Sequence, residues 1–137
     1  MSEAPDRVTA TESAVDLLTK LTELNGGLMI HQSGGCCDGS APMCYPVGEY
    51  RIGQRDVLVG TIELADPLPA VRIWINGDQF ELWKHTQLIL DVVKGRGAGF
   101  SLEAPEGVRF LSRSRAFSDD ENALLAASPP KVGADFE

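Results

Sequence analysis

All three cysteines of this chain fall within nine positions, Cys36, Cys37 and Cys44, in the stretch HQSGGCCDGSAPMC that runs from His31 to Cys44. Soft thiolates select zinc, copper(I) or iron-sulfur clusters, and three of them with one imidazole, from His31, satisfy any of these. The adjacent pair Cys36-Cys37 lacks the two-residue gap that brings paired cysteines onto a tetrahedral zinc, and Cys44 returns only after six intervening residues. Gly34, Gly35 and Gly39 lower the steric barrier to wrapping backbone tightly round an ion, and their neighbouring amides are candidate donors to sulfur. Asp38 suits a cap of the turn CDGS. Met43 either adds a thioether that favours copper(I) or simply packs.

Two other uses of the same residues compete. A reactive thiol beside a resolving cysteine makes a thiol-disulfide switch, and Cys37 with Cys44 has the spacing to close such a loop. Alternatively the cysteines are small apolar side chains that shape a loop. His31 ends an apolar segment and is either a ligand or a hydrogen-bonded strand end. His85, the other histidine, follows ELW and reads as a sheet-face residue alternating with Glu81 and Trp83. The chain holds no GxSxG elbow, no HExxH and no phosphate loop, and GRGAGF at 95–100 departs from a dinucleotide fingerprint because its third glycine is misplaced. The sequence therefore reads as a binding or accessory protein ahead of an enzyme.

Positioning these residues is the work of a chain of 137 residues, enough for one domain with its own core. With 20 acidic against 12 basic side chains the net charge is −8, which repels a nucleic-acid backbone. No apolar run is long enough to span a bilayer and the first residues lack a signal-peptide pattern, so the expectation is a cytoplasmic protein with no membrane partner. Three cysteines, an odd number, argue against a structural disulfide framework.

A first helix is expected over 9–25, from the capping-box spacing of Thr9 and Glu12 and the stripe Ala14, Leu17, Leu18, Leu21 and Leu24; Asn25, Gly26 and Gly27 stop it. A strand follows at 28–31, then the irregular cysteine loop and its return at 33–53. Further strand signals lie at 57–64, 71–75, 80–85, 88–93, 100–103 and 108–112. Asn76-Gly77, between VRIWI and DQFELW, reads as a hairpin turn that sets Trp74 and Trp83 on facing strands. The segment TQLILDVV is too short for periodicity to separate strand from buried helix. Ser118 and Glu121 form a second capping box, and Pro129-Pro130 end that helix ahead of an acidic tail expected to fray.

The stretch GGCCDGSAPMC, with IHQSGG before it and WINGDQFELWKHTQLILDVVKGRGAGFSLE after it, resembles the bacterial domain-of-unknown-function family 779. The resemblance covers about 11–117, and Cys36, Cys37 and Cys44 match the family motif position for position. Members of that family are often encoded beside aldehyde dehydrogenases and labelled as acetaldehyde dehydrogenase accessory proteins, which implies such a dehydrogenase as partner. The family also looks like a relative of the HesB-type iron-sulfur carrier fold, although this chain has no cysteine after Cys44 to match the carriers' C-terminal pair. Fold likeness alone does not give function.

The expectation is thus an α+β protein, HesB-like, with an N-terminal helix followed by a mostly antiparallel, meander-type sheet. Residues 1–10 would be flexible, 11–117 a single domain, and 118–137 a short helix with a flexible acidic tail. Cys36, Cys37 and Cys44, with His31, would hold zinc, copper, iron or an iron-sulfur cluster in service of an aldehyde dehydrogenase. The alternatives are a thiol-redox protein that protects or reduces the partner's catalytic cysteine, and a non-catalytic interaction module. The sequence is compatible with a homo-oligomer.

Overall fold

The structure is a computed structural model and describes residues 5–32, 42–48, 52–95, 102–103 and 106–136. Strand β1 (Val8–Ala10) leads into helix α1 (Glu12–Asn25), which returns as β2 (Leu28–Gln32). Then follow β3 (Met43–Pro46), β4 (Val57–Ile62), β5 (Val71–Ile75), helix α2 (Gly77–Trp83), β6 (Thr86–Lys94), β7 (Val108–Ala116), helix α3 (Asp119–Ala126) and a terminal 3-10 turn (Gly133–Phe136).

These strands make two mixed sheets, which overturns the expected helix-then-meander. The smaller sheet has the order β1-β6-β7, with β1 parallel to β6; the larger has the order β3-β2-β5-β4, with β2 parallel to β5. Helix α1 carries the chain from β1 in the smaller sheet to β2 in the larger, and only the parallel pairs β1-β6 and β2-β5 join strands distant in sequence, whereas β2-β3, β4-β5 and β6-β7 are antiparallel neighbours. Helix α1 itself follows a strand rather than opening the fold.

Alternation along the strands assigns the faces. Leu28 and Ile30 on β2, Cys44 on β3, Val57 and Ile62 on β4 and Val71, Ile73 and Ile75 on β5 turn inward, where they meet Ala14, Leu18 and Leu21 of α1 and Leu88, Leu90 and Phe110 of the smaller sheet in one core. Burying a Leu, Ile or Phe side chain stabilises by roughly 1.5–3 kcal/mol each, so this shared cluster fixes the sheets against each other. Gly60 sits where β1 crosses β4: a Cβ there would lie 2.7 Å from Cγ1 of Val8.

Helix α1 is capped by Thr11, whose hydroxyl accepts from the Ala14 amide (3.2 Å) and donates to Asp91 on β6 (2.9 Å); Thr9, the expected cap, belongs to β1 instead. The Asn76-Gly77 hairpin does not form. Asn76 is the N-cap of α2, its side chain accepting from the Asp78 amide at 2.9 Å, and Phe80 to Trp83 are helical rather than extended. Trp74 on β5 and Trp83 on α2 are both buried, on different elements. TQLILDVV is strand, as part of β6.

Described residues near both chain ends join the sheets. Residues 8–10 are a strand of the smaller sheet, and the tail beyond Pro130 docks: Leu58 donates to the Lys131 carbonyl (2.9 Å), Gly133 to that of Asp56 (2.8 Å) and Ala134 to that of Gln54 (3.1 Å). No described helix is long and apolar enough to cross a membrane.

Candidate functional site

Of the predicted ligands, Cys36 and Cys37 lie outside the described residues, while Cys44 and His31 lie inside and apart. Ile30 pairs with Cys44 and His31 with Met43 across β2 and β3. Directly opposed residues share a face and successive ones alternate, so Cys44 points into the core and His31 to the outer face. The two side chains expected to share one ion thus lie on opposite faces of the larger sheet. Met43 and Tyr45 share the face of His31, and the Tyr45 hydroxyl donates to the Met43 sulfur at 3.3 Å.

The surroundings of Cys44 were not evident from sequence. Its side chain is 0% exposed and Glu103 is 1% exposed. The Leu102 amide donates to the Cys44 carbonyl at 3.0 Å, which seats residues 102–103 on the edge of β3. The Glu103 carboxylate in turn accepts from the Phe110 amide at 3.2 Å on β7, an edge strand of the other sheet. Leu102 and Glu103 thus close the seam between the two sheets. A second buried bond crosses it, from the Ser112 hydroxyl to the Gln32 side chain at 3.0 Å.

Burial pushes the Cys44 thiol well above its ordinary pKa, and the charge of Glu103 pushes it further the same way. A thiol so placed stays protonated and is a poor nucleophile. A thiol and a carboxylate buried together form a soft-hard donor pair, and a cation between them would offset both negative charges. Among the described residues no three or more His, Cys, Asp or Glu side chains converge as a metal site.

His31 occupies a different environment. Its Nε2 is 3.1 Å from Oδ2 of Asp56, with both side chains largely buried, and that same oxygen accepts from the Gly53 amide at 2.8 Å. The Asp56 amide donates back to the Gly53 carbonyl at 3.1 Å, closing a tight turn that holds the carboxylate against β2. Asp56 opens the approach to β4 as a polar residue ahead of an apolar strand, which in sequence looks like any loop carboxylate. His85 is not on a sheet face: it follows α2, is exposed, and contacts Asn122 on α3 at 3.3 Å, while Glu81 pairs with Lys84.

Glu103, Gln32 and Ser112 escaped sequence reasoning because each belongs to a strand edge or turn that is ordinarily solvated. Glu103 lies two residues before Pro105-Glu106-Gly107, a polar turn signal that gives no hint of burial.

No curated protein and no solved structure matches this chain. The model of the family described as Domain of unknown function (DUF779) matches residues 17–116, a span that includes most of α1, the cysteine stretch and both sheets' central strands. The chain belongs to the DUF779 family.

Proposed function

We propose that the chain is an accessory protein that binds a thiophilic metal ion or an iron-sulfur species through Cys36, Cys37 and Cys44. The observation that carries this reading is Cys44 buried beside Glu103 at the seam of the two sheets. A thiol-redox role needs a stabilised thiolate, and this position destabilises one. A metal ion would offset that penalty by displacing the thiol proton and binding the thiolate. Three thiolates with a carboxylate nearby fit zinc or iron, and three thiolates alone fit copper(I). When bound, the group would supply a soft cation or an electron-carrying centre; the chain's own residues fix the Cys44 sulfur and keep water from it. An aldehyde dehydrogenase as the partner served rests on family resemblance alone, and a cytoplasmic location follows that assignment.

The test is elemental analysis with a visible spectrum on anaerobically purified protein, alongside Cys36→Ser, Cys37→Ser and Cys44→Ser. Near-stoichiometric zinc, copper or iron that falls away in each variant is the expected result. Metal-free protein with three titratable thiols after unfolding, unchanged by reconstitution, would overturn the metal reading and leave thiol exchange by the same cysteines in its place.

A further inference from the structure

A groove of about 250 Å³ runs between the end of α2, residue Arg7 ahead of β1, and α3 with the residues after it. It shares no lining residue with the Cys44 seam. Its apolar wall is made by Phe80, Leu125, Ala126 and Pro129-Pro130, and its polar positions are Arg7, Lys84, His85 and Asn122. Among the described residues no carboxylate side chain lines this groove, whereas two permanent cations and a histidine do.

Those cations are held in place with donors to spare. Both hydrogen bonds of Arg7 leave from Nη2, to the carbonyls of Leu125 (2.9 Å) and Ser128 (2.7 Å), so the C-terminal end of α3 orients the guanidinium. Nε and Nη1 have no partner among the described residues, and a guanidinium fork matches a carboxylate. Lys84 gives one donor to Glu81 at 2.7 Å, and an ammonium has three. His85 Nδ1 contacts Oδ1 of Asn122 at 3.3 Å, and the Asn122 amide nitrogen donates to the Phe117 carbonyl at 3.5 Å.

We infer that this groove binds a small organic carboxylate with an apolar body, its carboxylate between Arg7 and Lys84 and its body against Phe80, Leu125 and the proline pair. Charge selects the head group: an apolar wall alone would accept any hydrophobe, and two cations alone any anion, but their juxtaposition selects a molecule with both parts. The volume is at the low end for ligand pockets, which suits a six- to ten-carbon acid and excludes a large cofactor.

The experiment is amide chemical-shift titration of the ¹⁵N-labelled full chain with benzoate, hexanoate, benzyl alcohol and inorganic phosphate. Expected is saturable perturbation by the two carboxylates at Phe80, Lys84, His85, Leu125 and Ala126, with Kd near or below about 1 mM. Benzyl alcohol and phosphate should each bind at least about tenfold more weakly, since each lacks one half of the recognition. Lys84 is exposed and its replacement leaves the core intact, so Lys84→Gln should weaken benzoate about three- to tenfold while the rest of the spectrum stays unchanged. Equal binding of phosphate would reduce the groove to a bare anion site and overturn the inference. Equal binding of benzyl alcohol, or no saturable shift with either carboxylate, would overturn it as well.

Discussion

Cys44 and His31 lie one strand apart in the same sheet and face opposite ways, because Ile30 opposes Cys44 and His31 opposes Met43. Two residues that looked like co-ligands in sequence are thereby assigned to separate environments, one in the seam beside Glu103 and one against Asp56. This separation makes the roles of the two side chains independently testable. His31→Ala removes the partner of a largely buried carboxylate and should lower stability by about 1–3 kcal/mol. It should leave metal stoichiometry as in the parent chain. Denaturant midpoints together with elemental analysis check both halves, and loss of metal in His31→Ala without loss of fold would return His31 to the ligand set.

Burial of Cys44 sets its reactivity. With its side chain 0% exposed and its pKa driven up, the thiol should resist iodoacetamide at pH 8 in the native state and react fully in denaturant. Peptide mapping by mass spectrometry after timed alkylation reads this directly. Alkylation of Cys44 at the rate of a free thiol in folded protein would place it at the surface and contradict the seam geometry.

What could be read from sequence divides along the line between local and non-local interactions. The Ser118-Glu121 capping box is present in full, because both of its hydrogen bonds lie within four residues. Of the expected stripe on α1, Ala14, Leu18 and Leu21 are buried whereas Leu24 is exposed, and the strand at Leu28 is where alternation put it. The Asn76-Gly77 pair misled because an asparagine that suits a tight turn also suits a helix N-cap, and only the next seven residues decide. Gly77 is needed for a different reason, since a Cβ would sit 2.5 Å from the Arg55 carbonyl oxygen. The parallel pairs β1-β6 and β2-β5, and the electrostatic influence of Glu103 on Cys44 across 59 positions of chain, leave no short-range trace. The cysteine cluster marked a region correctly while saying nothing of which face each residue would take.

Helix α3 carries a pH dependence of defined sign. Glu121 is held at about 2 by its hydrogen bonds with Arg115 (3.2 and 3.1 Å), then by the Ser118 amide at 2.9 Å. A carboxyl whose folded value is depressed adds stability that is present above its unfolded value of about 4.3 and is lost as pH falls toward 2. Lowering the pH from 5 to 2 should therefore fray α3 in the parent chain, and Glu121→Gln should abolish most of that dependence. Amide exchange at Asn122 to Leu125 followed across this window is the measurement, and an identical pH profile in both proteins would show that Glu121 does not set it.

The docked tail depends on one glycine. A Cβ on Gly133 would fall far inside van der Waals contact with the Gly53 carbonyl oxygen and 2.9 Å from its carbon, so backbone, not a flexible side-chain end, blocks any larger residue. Gly133→Ala should detach residues 131–136 from β4 and the turn at 53–56, losing the Val57-Val132 bridge and the bonds from Leu58, Gly133 and Ala134. Overpacking of this kind costs typically about 1–3 kcal/mol. Because the Gly133 amide bonds to the carbonyl of Asp56, whose side chain meets His31, the loss should extend to the outer face of the larger sheet. Limited proteolysis within 127–136, together with the His31 ring signals, separates the outcomes: faster cleavage with a shifted His31 resonance is expected. Faster cleavage with an unmoved His31 would mean that the Gly53-Asp56 turn holds its carboxylate without help from the tail.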